Sequence, residues 1–281
     1  MIGVFDSGSG GLTVLQALAA RLPERDFLYL GDHAHTPYGV RSGEDVYRLT
    51  QRATGYLLAQ GCRLIVIACN TAAAVALRRM QQGWLPHHAP EARVLGVHVP
   101  LVEAITGRAW HQAIGPESVC EDNDRTVAIF ATPRTVTTGS FPTEIAARAP
   151  GIRVLQQACP GLADAIEDHA DASTLQALVD GFVNELQTQA GAAELSAAIL
   201  ACTHYPFAEA QFRAALPDDV EILTQPAMVA RALEDYLHRH PGIDMPGGGH
   251  IELLTTGDPA RLNGLASRLP QNLQRFSRIE L

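Results

Sequence analysis

Short, uniformly apolar runs alternate with longer amphipathic stretches along the chain. "IGVF" (2–5) predicts a buried strand, "DSGSGG" a turn and "LTVLQALAARL" (12–22) an amphipathic helix. "DFLYLGD" predicts a second strand, and "GEDVYRLTQRATGYLLAQG" (43–61) a second helix that stops at Gly61. "RLIVIAC" reads as a third strand entering the Ala-rich helix "TAAAVALRRMQQG", and "ARVLGVHVP" as a fourth strand. Apolar strands of this length, alternating with helices, predict a parallel sheet covered on both faces.

The pattern then restarts. "VAIFATP" stands where "IGVFDSG" stood 125 residues earlier. "IRVLQQACP" predicts a strand, "LADAIEDHA" and "STLQALVDGFVNELQTQA" helices, and "AAILAC" a strand ending in Ala-Cys, as the third strand does. The two strand-end thiols, Cys69 and Cys202, lie 133 residues apart. Two similar offsets argue for two copies of one α/β plan. Residues 106–124 are polar, acidic and punctuated by Gly and Pro, which predicts a surface excursion, and 238–250 a similar loop. "IELLTT" is then the last strand, before a C-terminal helix.

Bulk properties narrow the function. At 281 residues the chain can bury one large core or two of about 100–150 residues each. A net charge of −9 with no basic run lacks the footprint of a nucleic-acid binder. All 21 cationic residues are Arg, which excludes a pyridoxal phosphate Schiff base and a Gly-Lys-Ser/Thr phosphate loop. The first residues carry no basic segment ahead of an apolar one, and no apolar run is long enough to span a bilayer. A cytoplasmic protein without membrane association is expected. The five cysteines (62, 69, 120, 159 and 202) are odd in number and form no Cys-x-x-Cys pair, so reduced thiols are expected.

In open α/β sheets, ligands bind beyond the carboxyl ends of the strands. Asp6-Ser7, Asp32, Cys69-Asn70-Thr71, Thr132 and Cys202-Thr203-His204 all fall at such ends. A lone cysteine there is often a small buried hydrophobe. Cys69 and Cys202 differ because polar residues at predicted helix starts follow each of them, and helix-start amides favour a thiolate. Cys62, Cys120 and Cys159 lack that context and read as structural. Asn70, Thr71 and Thr203 serve equally as helix caps, but the amides that need caps also bind anions. "DSGSGG" has Thr13 where a dinucleotide fingerprint needs its third glycine, so no nucleotide is expected. His204 has no second Cys/His pair at ligand spacing, so no metal is expected. The other ten histidines read as surface, and Pro37-Tyr38-Gly39 as a turn whose amides can close over a ligand.

Twin thiols at equivalent strand ends fit inversion of a carbon centre, one sulfur removing a proton while the other returns one. Two rivals stay open: a Cys/His nucleophilic hydrolase using His204, and a non-catalytic binder of small acids.

The segments "GVFDSGSGGLTVL", "YLGDHAHTPYGVRS", "IVIACNTAAAVAL", "ATPRTV" and "LACTHYP" together resemble the aspartate/glutamate racemase superfamily, and the His-Tyr-Pro after Cys202-Thr203 its glutamate branch. The resemblance implies a cofactor-independent racemase, without pyridoxal phosphate, metal or nucleotide, interconverting L- and D-glutamate for peptidoglycan as a cytoplasmic homodimer. It implies two pseudo-symmetric α/β domains with mainly parallel sheets covered by helices, and an active site in the interdomain cleft. Residues 1–97 plus 207–281 would form the first domain, and 98–206 the second. By position, Cys69 and Cys202 would be the acid/base pair, Asp6 assisting Cys69 and His204 assisting Cys202. Substrate would meet Asp6, Ser7, Tyr38, Gly39, Asn70, Thr71, Thr132, Thr135, Thr203 and His204, with Asp32 and Glu167 at further positions of the site. Departures are Thr138 and Phe141, where Ser and Tyr are commoner, the less apolar "GLADAIED", and the long 106–124 excursion. Racemisation of aspartate or another acidic amino acid is the near alternative.

Overall fold

The computed structural model describes residues 1–109, 125–262 and 275–281. The first half runs β1 (Ile2–Asp6), α1 (Leu12–Arg21), β2 (Phe27–Gly31), α2 (Gly43–Ala59), β3 (Leu64–Ile67), α3 (Asn70–Arg79), α4 (Leu85–His88) and β4 (Arg93–Gly96). Then come α5 (His98–Thr106), β5 (Thr126–Ala131), α6 (Pro133–Thr138), α7 (Ser140–Arg148), β6 (Arg153–Ala158), α8 (Leu162–Glu167), α9 (Ala172–Ala190) and β7 (Leu195–Ala201). The chain closes with α10 (Glu209–Ala215), β8 (Glu221–Leu223), α11 (Gln225–Arg239), β9 (Ile251–Thr255) and β10 (Phe276–Arg278).

Two sheets result, ordered β10-β9-β2-β1-β3-β4 and β6-β5-β7-β8, and every strand pairing among the described residues is parallel. Parallel strands need helical crossovers, which cover both faces and leave the strands apolar throughout. β1, β2, β3 and β5 are buried at every position. One face of the first sheet packs on α1 and α11, the other on α2 and α3. The second sheet is covered by α8, α9 and α10 on one side and by α5 and α7 on the other. In each sheet the opening strand sits between two neighbours: β1 between β2 and β3, β5 between β6 and β7. Cys69 and Cys202 therefore follow topologically equivalent strands, as the repeated pattern predicts.

The structure corrects several expected elements. β4 stops at Gly96, and "HVP" opens α5 instead of continuing the strand. Pro100 is tolerated there because first-turn amides have no intrahelical acceptor. "IELLTT" is not the last strand, since Phe276–Arg278 pairs with β9. The expected C-terminal helix falls largely on residues 263–274, and the 106–124 excursion largely on 110–124, outside the described residues. α11 runs to Arg239, so the 238–250 loop starts later than expected. Glu221–Leu223 pairs with β7, so the chain leaves the second sheet only after residue 223, beyond the expected return at 207.

Candidate active site

The carboxyl ends of both sheets converge on one cavity of about 180 Å³. Ser7 follows β1, Cys69 follows β3, Thr132 follows β5, Cys159 follows β6 and Cys202 follows β7, and all five line it. Tyr38 and Gly39 join from a short 3-10 turn, Tyr38–Val40, and Glu167 from α8. Asn70, Thr71, Thr203 and His204 complete the lining among the residues expected from sequence. Asp6, Asp32 and Thr135, also expected, are fully buried behind the wall.

Cys69 is the N-cap of α3, its Sγ accepting the Ala72 amide at 3.4 Å, and Ser7 Oγ stands 3.4 Å from the same sulfur. Burial, then the nearby Asp6, pushes this thiol up to about 12, against the pull of Ser7 and the Ala72 amide. The expectation that helix amides make a thiolate accessible is thus reversed here. Desolvation of an anion outweighs two hydrogen bonds in a group only 5% exposed. Asp6 is itself raised, by burial first, against the charge of His204 and the amides of Gly8 and Gly11. Its Oδ2 accepts the Gly8 amide at 3.0 Å and its Oδ1 the Thr203 hydroxyl at 3.3 Å.

Cys202 has a different escort. His204 Nδ1 lies 3.9 Å from its sulfur, and His204 Nε2 lies 2.7 Å from Glu167 Oε2. Burial opposes a charge on His204, yet hydrogen bonds and charge from Cys202 and Glu167 hold the imidazolium well above its usual range. Glu167, resisted by burial, is lowered by the same His204. No α-helix starts directly after Cys202; a 3-10 turn, Tyr205–Ala208, precedes α10.

Neutral groups dominate the rest of the wall, and among the described residues no Arg lines the cavity. Asn70 is 2% exposed, and neither polar atom of its side-chain amide has a partner among the described residues. Thr71 and Thr132 hydroxyls meet at 3.0 Å, and Thr135 bonds both, tying α3 to the start of α6. Tyr38 donates to Asp32 at 2.6 Å, which holds the 3-10 turn over the cavity. Gly39 is required there, since a Cβ would lie 2.9 Å from Thr132 Cβ. Cys159, read from sequence as structural, is in the wall, with burial raising its thiol. Asp164 and Asp168 of the α8 segment also line it and went unrecognised. The available signal for all three was position: "QQACP" ends a strand as "IVIAC" does. Cys62 stays in the first core and Cys120 lies outside the described residues. The surface reading fails for His98, which is buried edge-on to Phe141, its ring held down to about 4. Among the described residues, no cluster of three His, Cys, Asp or Glu could hold a metal ion, and no helix is long and apolar enough to cross a membrane.

No family model matches the chain. Individual proteins do. A glutamate racemase of Paracoccus denitrificans is 49% identical over 276 residues, 98% of each chain, and one of Roseobacter denitrificans 48% identical over 276 residues, again 98% of each. The chain belongs to the glutamate racemase family. Its activity is the interconversion of glutamate enantiomers, and its class is isomerase. Among solved structures, a Thermus thermophilus glutamate racemase in complex with β-chloro-D-alanine is 32% identical, covers 100% of this chain and 96% of its own, and superposes with a TM-score of 0.81. One from Francisella tularensis in complex with D-glutamate is 26% identical, covers 100% and 96%, and superposes at 0.79.

Proposed function

We propose that this racemase works with two thiols, Cys69 and Cys202, and without a cofactor. The observation that carries the reading is their placement: equivalent strand ends of two sheets, one cavity, two unlike escorts. One sulfur, as thiolate, takes the α-proton of glutamate; the electron pair is left on the α-carbon and its carboxylate. The opposite thiol then gives a proton to the other face, so thiol and thiolate have exchanged places. Ser7 and the Ala72 amide attend Cys69, while His204 and Glu167 attend Cys202. Asp6 acts on Cys69 from behind the wall. Glutamate carboxylates are held by neutral donors, namely Ser7, Asn70, Thr71, Thr132, Thr203 and the amides near Tyr38-Gly39. In a water-poor cavity such preorganised dipoles stabilise developing charge without reorganising. Thr135 and Asp32 support that wall through Thr132 and Tyr38. The D-glutamate complex of the Francisella relative supports glutamate, over aspartate, as the ligand of this cavity.

The domain division we propose follows sheet membership, 1–97 plus 224–281 and 98–223, with the cavity between them. Homodimer formation, a cytoplasmic location and supply of D-glutamate for peptidoglycan complete the reading by family membership. The test is single replacement. Cys69→Ser and Cys202→Ser should each lose racemisation in both directions, followed by circular dichroism on either enantiomer without added cofactor. One-sided exchange of the α-hydrogen with solvent fits the scheme; full racemisation by either variant would end it.

A further inference from the structure

Two segments far apart in sequence meet at one side of the cavity. Thr36, Pro37, Tyr38, Gly39 and Val40 line it from the first half of the chain, and Thr132 and Pro133, at the start of α6, line it from the second. Their backbones are in close contact, since a Cβ on Gly39 would lie 2.9 Å from Thr132 Cβ and 3.1 Å from Thr132 Cγ2. Hydrogen bonds tie down the first segment at both ends. Tyr38 donates to Asp32 at 2.6 Å, which anchors it to the end of β2. Arg41 Nε donates to the His35 carbonyl at 2.5 Å, closing the segment on itself. Arg134 Nε, on α6, donates to the Arg41 carbonyl at 2.7 Å, across 93 residues of sequence.

The Arg134 bond differs from the other two in what it joins. Those lie within the first half, whereas Arg134 reaches over from the second. Burial anchors Tyr38, which is 1% exposed, but Val40 is 68% exposed, so burial does little to hold the far end of the turn. A guanidinium donor makes a stronger bond than a neutral one, and its planar fork loses little freedom in making it. Arg134 also springs from a fixed base. Two residues before it, the Thr132 hydroxyl meets those of Thr71 and Thr135 at 3.0 and 3.1 Å. The carbonyl that Arg134 holds belongs to the residue ending the turn, whose own amide donates back to the Tyr38 carbonyl at 3.2 Å. Fixing Arg41 therefore fixes the backbone of Tyr38 and Gly39.

We propose that Arg134 is a positioning residue: from the second half of the molecule it fixes the turn at Tyr38–Gly39 in the first, so that the turn amides stand ready for a glutamate carboxylate. This rests on reading those amides as donors to substrate. Arg134 is not among the residues that line the cavity, so it acts through the turn and not by touching glutamate. Substrate binding and the approach of the two halves are thereby coupled, because the amides keep their places only while α6 stands against the turn.

The test has two parts. Arg134→Met keeps the apolar length of the side chain and removes the donor. KM should rise about tenfold for both enantiomers with kcat within about twofold of wild type, because the lost interaction serves bound substrate and transition state alike. Arg134→Lys, which keeps a cationic donor, should recover most of that rise. In the free protein, hydrogen–deuterium exchange of a peptide covering residues 34–43 should be about five- to tenfold faster in Arg134→Met than in wild type. A lowered kcat at unchanged KM would overturn the proposal, since that is the signature of lost active protein. Unchanged exchange in 34–43 would overturn it as well, whatever KM does. Faster exchange with kcat and KM both unchanged would overturn it by a different route: the tie would exist, but the turn amides would not be holding glutamate.

Discussion

At the scale of single residues, environment outweighs identity. Cys69 and Cys202 share a sequence context, yet one is capped by an amide and a serine while the other faces an imidazole braced by a carboxylate. Their type and spacing are legible along the chain, but the escorts include residues as distant in sequence as Ser7 from Cys69 and Glu167 from Cys202. His98 makes the same point. It opens α5 in an apolar stretch, and burial, with Arg78 and Arg148, holds it down to about 4 against the pull of Glu144. The unfolded chain takes up that proton near pH 6.5, whereas the folded protein resists until about pH 4. Stability from a neutral His98 is therefore complete above about pH 6.5 and is lost as pH falls toward 4, at up to about 1.4 kcal/mol per pH unit. Denaturant melts at pH 7 and pH 5 should show the loss in wild type and a reduced one in His98→Leu; equal pH dependence in both would refute the assignment.

At the scale of elements, strands and helices followed from periodicity wherever apolar runs were long, as in β1, β3, β5 and β7. Misreadings fell where a short element takes its identity from a neighbour. β8 and β10 have three residues each and exist as strands because β7 and β9 offer them a ladder. "HVP" carries strand-like composition but turns into α5, whose buried side Leu101, Val102 and Ile105 pack into the second core. Thr132 shows what a cap does beyond its own helix. It accepts the Thr135 amide at 3.3 Å at the start of α6 and meets Thr71 of α3 at 3.0 Å. Thr132→Ala should cost about 1–2 kcal/mol in urea unfolding, at the upper end for a lost cap because Thr71 and Thr135 also lose a partner. A cost indistinguishable from zero would show that the threonine cluster does not tie the two helices.

At the scale of the whole molecule, function depends on how closely the two halves approach. A Cβ on Gly10 would lie 2.5 Å from Thr203 Oγ1 and 2.7 Å from His204 Nδ1, so only glycine lets the turn after β1 reach the segment after β7. Gly10→Ala should displace His204 and lower kcat/KM about tenfold or more while far-ultraviolet circular dichroism stays native. Unchanged kcat/KM would mean that the approach is not needed. The α/β alternation, the doubled plan and the strand-end thiols were set by the order of residues alone, because periodicity and turn chemistry are local. Which groups surround each sulfur, which acids face the cavity and how Asp6 disappears behind its wall were decided only by the folded chain. Desolvation and hydrogen bonding depend on distances between residues far apart in sequence, and no local pattern contains those distances.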